Sequence, residues 1–271
     1  MLGAKVPETI CEINLGAAAH NAVLDFAANL GACENKEIKI CKECKPAFAD
    51  CVIFGVPKSG NVLEKYIQKV TALKNDGYVI ERESGIIYVL ANTQEGIVNG
   101  AYALLRSFGV GLNLGTSFIP DLPSEPKSKV VSPALKIRGF LPWYNFLNSP
   151  TTWDYCDHRA FVDDAIRLGA NFIGFHTYDS EPFAAFMGTD GNMKLGQRLL
   201  TTKARLWGTH PMKTEDFGFG ISKLYDKHYY GNTSTSDIAD SNQAILAEQG
   251  ILRDAFDYAK SRGIKTCIGF E

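Results

Sequence analysis

The chain has 271 residues, of which 45% are apolar and 21% charged, and its formal net charge is −2 at pH 7. This is the composition of a globular protein with a core of its own, long enough for one large domain or two of ordinary size. The charge lacks the basic surplus of a nucleic-acid binder, no run approaches the ~18 apolar residues of a membrane-spanning helix, and the opening MLGAKVPETICEIN has no apolar stretch of the kind a signal peptide carries.

In chain order, ICEIN reads as a strand, followed by a helix from about Gly16 to Leu30 with Gly31 as its stop. EIKIC and CVIFGV read as two further strands. A second helix is expected from about Asn61 to Lys74, with Val62, Leu63, Tyr66, Ile67, Val70 and Leu73 on one face at spacings near 3.6. GYVIER and GIIYVL flank Glu83-Ser84-Gly85 as the arms of a hairpin. Asn92 and Glu95 form a capping-box pattern ahead of a third helix, whose apolar face is Ile97, Ala101, Leu104, Leu105 and Phe108 and whose end is Gly109. Residues 1–119 therefore read as a small α/β sandwich. The segment IPDLPSEPKSKVVSP carries Pro120, Pro123, Pro126 and Pro133, and residues 120–133 read as an extended linker.

Beyond the linker the pattern changes. KIRGFLPWYNF is a strand running into an aromatic loop, a helix covers about Asp157 to Leu168, and ANFIGFHTY is a continuous apolar run of the kind found in buried parallel strands. The segment from Asp179 to Asn242 is rich in Gly, Thr and aromatic residues. A helix from about Gln243 to Arg262 and the strand IKTCIGFE follow. Each strand stays apolar until its C-terminal end, where polar or aromatic groups appear. That distribution belongs to a (β/α)8 barrel, whose chemistry sits at the strand C-termini, and a doubly wound sheet shows it too. No GxGxxG and no P-loop follows any strand. A barrel takes eight strands and about 250 residues, whereas residues 134–271 hold three. The expectation is an incomplete TIM barrel, a fragment cut partway through its catalytic domain.

The stretch GYVIERESGIIYVLANTQEGIVNGAYALLRSFGVG resembles the small α/β domain that precedes the barrel in bacterial β-N-acetylhexosaminidases and α-glucuronidases. The matching elements are Gly77-Tyr78-Val79-Ile80, the strand Ile86 to Ala91, and the helix Gly96 to Val110. The barrel entry IRGFLPWYNF and the stretch WDYCDHRAFVDDAIRLGANFIGFHTY are similar to the first two strands of the same glycoside hydrolases. The resemblance covers roughly residues 50–178. It implies an O-glycosyl hydrolase that acts on the non-reducing end of an oligosaccharide, without a cofactor. It also implies catalytic carboxylates on later strands, beyond residue 271, so that this chain alone is expected to be inactive. The other reading is a carbohydrate-binding or structural protein that keeps the fold without catalysis.

The candidate substrate-binding residues follow the strand ends. Arg138 opens the first barrel strand, and in the hexosaminidases that resemble this chain an arginine there holds sugar hydroxyls, a task suited to a planar guanidinium with several fixed donors. The alternative is an arginine at the barrel base paired with a carboxylate. Trp143 offers a flat face for sugar C–H groups beside the amide of Asn145, with Tyr144 between them; packing of the loop against the rim is the competing role, as it is for Trp153. His176 ends the second strand next to Asp179, with Glu181 a weaker carboxylate. Glu271 ends the third strand, where it would face the pocket.

Seven cysteines leave at least one thiol unpaired within the chain. Cys41 and Cys44 form a C-x-x-C, but no second ligand pair follows as a structural zinc site requires, and the motif follows a strand rather than opening a helix. The expectation is thiols in a reducing compartment and no metal. Together with the missing leader this favours the cytoplasm, whereas polysaccharide-degrading relatives are usually exported, which keeps an extracellular or periplasmic location open.

Overall fold

A computed structural model describes residues 5–42, 50–142, 150, 153–177, 182–194, 205–206, 229–230, 238 and 240–270. The chain divides into two compact units. The first comprises Met1–Arg138 with Ile166–Asn171 and Ser261–Gly263; the second comprises Gly139–Ala165, Phe172–Lys260 and Ile264–Glu271.

The first unit runs β1 (Thr9–Ile13), α1 (Ala17–Ala32), β2 (Lys39–Lys42), β3 (Cys51–Gly55), a 3-10 turn at Glu64–Tyr66 continued by α2 (Ile67–Thr71), β4 (Tyr78–Glu83), β5 (Ile86–Leu90) and α3 (Gln94–Ser107). The hairpin of β6 (Gly111–Asn113) and β7 (Thr116–Phe118) follows, and then β8 (Lys129–Val131). Six strands form one sheet in the order β2-β1-β3-β5-β4-β8. β1 pairs in parallel with β2 and β3, and β3 with β5, whereas β4 is antiparallel to β5 and to β8. The central strand β3 is buried along its length, as its continuous apolar run requires. Its Phe54 meets Phe26 of α1 edge-on at 5.1 Å.

Several expected boundaries move for local physical reasons. α1 passes through Gly31 to Ala32 instead of stopping there, and the glycine serves close approach: a Cβ at that position would lie 2.4 Å from the Lys36 carbonyl oxygen. The second helix is shorter than its apolar spacing suggests. The Glu64 carboxylate accepts from the Ser59 hydroxyl and the Gly60 amide, which holds the preceding residues in a turn, and Val62 is exposed. Beyond α2, Asn75 and Asp76 both adopt positive φ (53° and 63°), so the helix cannot continue. The cap of α3 is Thr93, whose hydroxyl accepts from the Gly96 amide at 3.0 Å, while Asn92 is occupied in donating to the Leu73 carbonyl. The β4–β5 turn matches its sequence: Ser84 and Gly85 both have positive φ, as a two-residue type I′ connection demands. The 120–133 segment belongs to the first unit, where Lys129–Val131 adds the sixth strand beside β4.

One buried polar network draws together all three stretches of this unit. Asp25 of α1 accepts from the Arg167 guanidinium at 2.9 and 3.1 Å, from the Tyr102 hydroxyl at 2.9 Å and from Arg262 at 3.2 Å; Arg262 also donates to the Tyr102 oxygen at 2.7 Å. Burial alone raises the Asp25 carboxyl. The hydrogen bonds and charges of Arg167, Tyr102 and Arg262 outweigh it, so its pKa lies below the usual aspartate value.

The second unit runs β9 (Gly139–Phe140), α4 (Tyr155–Arg167, its last two residues counted with the first unit), β10 (Phe172–Thr177), two short antiparallel pairs and then α5 (Ser241–Ser261) and β15 (Lys265–Phe270). The short pairs are β11 (Phe186–Met187) with β12 (Met193–Lys194) and β13 (Arg205–Leu206) with β14 (Tyr229–Tyr230). β9, β10 and β15 form a three-stranded sheet with β10 in the middle, and both pairings are parallel. Among the described residues no helix is long and apolar enough to cross a membrane.

Candidate functional site

The three parallel strands share one C-terminal edge, and their register fixes which residues meet there. His176 lies opposite Gly269 and Thr177 opposite Phe270, while the His176 amide donates to the Pro142 carbonyl at 3.5 Å. The chain therefore leaves the sheet at Pro142, Thr177 and Phe270 on the same side. Trp143, Asn145, Asp179 and Glu271, expected from the sequence as sugar contacts, follow these three exits directly; they lie outside the described residues.

The two faces of this sheet differ in chemistry. Ile173, Phe175 and Thr177 are buried on one face. There Phe175 stacks on Phe256 of α5 at 5.3 Å and meets His158 of α4 edge-on at 5.8 Å. Side chains alternate along a strand, so Phe172, Gly174 and His176 occupy the other face. In-register pairing places Lys265, Cys267 and Gly269 beside them, and all three are exposed. Leu141, 59% exposed, closes over Gly174, where an added Cβ would come within 3.1 Å of its Cδ1. His176 is half-buried at the C-terminal end of this face, beside the exposed Gly269. In the sequence Cys267 is marked only as one more thiol. The period-two alternation of KTCIGF was the signal that sets it on the open face with His176.

His158 shows the opposite environment. It is fully buried between Trp153, edge-on at 5.2 Å, and Phe175. Desolvation pushes its pKa down to about 3 against a weak opposing charge on Asp154. It is a neutral core histidine. Trp153 is buried with it and packs on Phe161 at 5.0 Å, so it belongs to the core and not to a sugar platform.

Arg138 lies in the first unit, at the N-terminal side of β9. Its Nε donates to the Gly169 carbonyl at 2.9 Å, and one terminal nitrogen donates to the carbonyls of Leu135 at 2.8 Å and Asn75 at 3.4 Å. The other faces Asp76 at 3.4 Å. Asn171 braces the same group, donating to Asp76 and to the Lys136 carbonyl while accepting from the Arg138 amide. Four of the five guanidinium hydrogens have partners in this arrangement. This is the carboxylate-paired arrangement weighed above against sugar binding: the Arg138 donors are used in closing backbone turns.

The cysteines require a second correction. Cys11, buried on β1, is disulfide-bonded, so the expectation of thiols throughout fails there. Cys33, Cys41, Cys51, Cys156 and Cys267 are thiols, and burial raises the pKa of Cys33, Cys51 and Cys156. Among the described residues no group of three His, Cys, Asp or Glu is placed to hold a metal ion.

No family model matches the chain, and no curated protein matches it in sequence. Its backbone is similar to solved glycoside hydrolases. A GH20 exo-β-N-acetylglucosaminidase from Vibrio harveyi, solved with N-acetylglucosamine, superposes with a TM-score of 0.52 at 12% identity, over 98% of this chain and 33% of that one. A mutant β-hexosaminidase from Streptomyces plicatus, in complex with its product, gives 0.54 at 11% identity, over 98% and 42%. A GH138 enzyme targeting pectin rhamnogalacturonan II gives 0.50 at 12%, over 97% and 24%. The fold is one found in glycoside hydrolases. This chain spans between about a quarter and two fifths of the length of these three structures. At such identities the likeness extends to the fold alone, which among the described residues is a mixed α/β architecture with a six-stranded sheet and five α-helices.

Proposed function

We propose that this chain is the accessory α/β domain and the first arc of the catalytic (β/α)8 barrel of a glycoside hydrolase, hexosaminidase- or α-glucuronidase-like, that acts on the non-reducing end of an oligosaccharide. The observation that carries the reading is the all-parallel register of β9, β10 and β15, with helices packed on one face, the other face exposed along β15 among the described residues, and the strand exits gathered at one edge. In a barrel that open face is the interior and that edge is the mouth.

On this reading the sugar lies over the strand exits. Trp143 stacks on its C–H face, Asn145 and His176 hydrogen-bond its hydroxyls, and Asp179 and Glu271 accept from them. Hydrolysis takes an acid that protonates the leaving oxygen. It also takes a second carboxylate, or the substrate's own acetamido group, that assists at the anomeric carbon. The described residues place three strands in this parallel sheet, against the eight of a closed barrel, and the resemblance to the hexosaminidases assigns the acid pair to barrel strands after the third. The purified chain is therefore expected to hydrolyse aryl N-acetylglucosaminides and aryl glucuronides no faster than buffer. Turnover well above buffer that disappears in a Glu271→Gln protein would show that the chain carries its own catalytic carboxylate and would overturn this division.

A further inference from the structure

We propose that Arg106, Lys129 and the Tyr78 hydroxyl form a binding site for a doubly charged tetrahedral oxyanion, phosphate or sulfate, where the end of α3 meets β4 and β8. The inference is independent of the glycosidase reading, and every group in it belongs to the first unit. Arg82, Arg138, Arg167 and Arg262 of that unit each face a carboxylate. Arg106 does not: among the described residues the one hydrogen-bond partner of its side chain is the Arg167 carbonyl, 2.6 Å from Nη1. Lys129 is alike, with the neutral Ser107 hydroxyl, 3.1 Å away, as the one partner of its ammonium.

The fold brings these groups together. Antiparallel pairing sets Tyr78 opposite Val131 and Ile80 opposite Lys129, so Tyr78 and Lys129 stand on one face of the sheet. α3 covers that face, and Gly100 makes room for the tyrosine, since an added Cβ would come within 3.3 Å of the Tyr78 Cβ. Tyr78 is 8% exposed, and among the described residues its hydroxyl has no protein partner. Arg106 and Ser107 close the same helix. The Arg106 charge reaches both other groups. It opposes the burial that raises the Tyr78 pKa, and it adds to the burial that holds the Lys129 ammonium below the ordinary lysine value. Arg106 is itself exposed, yet loss of water around its charged end lowers its pKa as well.

Two cations are thus held together with neutral acceptors only. The dipole of α3 favours a cation in its last turn, which accounts for one charge but not for the second, nor for a buried hydroxyl that lacks an acceptor. A dianion with several acceptor oxygens satisfies all three, whereas a carboxylate neutralises one cation of the two. Arg106 offers a planar fork and Lys129 a point charge. Ser107 donates to the Ala103 carbonyl at 2.8 Å, so it orients Lys129 and leaves two ammonium hydrogens for the ligand. With Arg106 exposed and Lys129 half-buried, the site opens to solvent.

The test uses the whole chain at constant ionic strength and mildly alkaline pH, where phosphate carries two charges. Inorganic phosphate and sulfate are each expected to give saturable NMR shifts, at millimolar anion, of the Arg106 Nε–H and of the Ser107 and Lys129 amides, while acetate and chloride leave them unmoved. Arg106→Gln and Lys129→Met are each expected to weaken phosphate about tenfold or more, and Tyr78→Phe, which keeps the ring that packs on α3, about fivefold. Glycerol 3-phosphate separates the sources: tighter binding than phosphate assigns the group to a phosphate ester, and weaker binding assigns the free ion. Phosphate shifts that do not saturate in the native chain, shifts that chloride reproduces at equal ionic strength, or affinities that agree within twofold between the native, Arg106→Gln and Lys129→Met proteins would each overturn the site.

Discussion

Replacing Asp25 with alanine is expected to lower the stability of the first unit by about 3 kcal/mol, the low end of the cost of breaking a buried ion pair. Asp25 is 15% exposed and is the one carboxylate shared by Arg167, Arg262 and the Tyr102 hydroxyl. Tyr102 is 1% exposed and Arg262 is buried, so the alanine removes the carboxylate that a buried cation and a buried hydroxyl share. The partial exposure of Arg167 lets water replace part of what it loses, which is why the cost stays at the lower end. Asn at this position keeps the shape and one acceptor oxygen and should fall between alanine and the native residue. Urea unfolding followed through the α1 and α3 amides measures all three proteins. A loss below about 1 kcal/mol in the alanine protein would mean that the network is incidental to stability.

The second large effect is a loss of stability in mild acid, set by His158. Its folded pKa of about 3 lies below the 6.5 of a free histidine. In this range the unfolded state binds the extra proton, so stability rises with pH. The contribution is complete above pH 6.5 and is lost progressively as pH falls towards 3. Between pH 7.5 and 4.5 the second unit should lose about 2.5 kcal/mol from this residue alone. Asp25 acts in a lower window, because its depressed pKa withdraws stability only below the ordinary aspartate value of 3.8. Hydrogen exchange of α4 and β10 at the two pH values, in the native protein and in His158→Leu, isolates the term. The leucine protein should lack that share of the pH dependence, and equal slopes would place the acid sensitivity elsewhere.

What could be read from the sequence was whatever local chemistry decides. The apolar run Phe172–Thr177 gave a buried parallel strand, and Ser84-Gly85 gave a tight turn, because in each case neighbouring residues suffice. Asn92 failed as a cap because a distant carbonyl, that of Leu73, competes for its side chain, leaving the role to Thr93. β8 was hidden among prolines, since Lys129–Val131 is too short to announce a strand until β4 supplies the partner. Arg138 was ambiguous for the same reason: the groups that occupy it, from Asn75 and Asp76 on one side and Gly169 on the other, are remote in sequence. No local pattern marks Asp25, Tyr102, Arg167 and Arg262 as one network, nor Cys11 as oxidised. The alternation along β10 and β15 did carry the open face, with His176 and Cys267 on it, and was legible once the register was known.

The central claim is that the C-terminal edge of β9, β10 and β15 is the sugar side of a glycosidase barrel. Amide and imidazole NMR shifts of the whole chain, titrated with N-acetylglucosamine and separately with glucuronate, test it most directly. The account predicts saturable shifts, at millimolar sugar, confined to Leu141, His176, Thr177, Gly269 and the residues that follow each of these exits, with Arg138 and the α1–α3 helices unmoved. Shifts that centre on Arg138 or on the six-stranded sheet, or none at any sugar concentration, would contradict it.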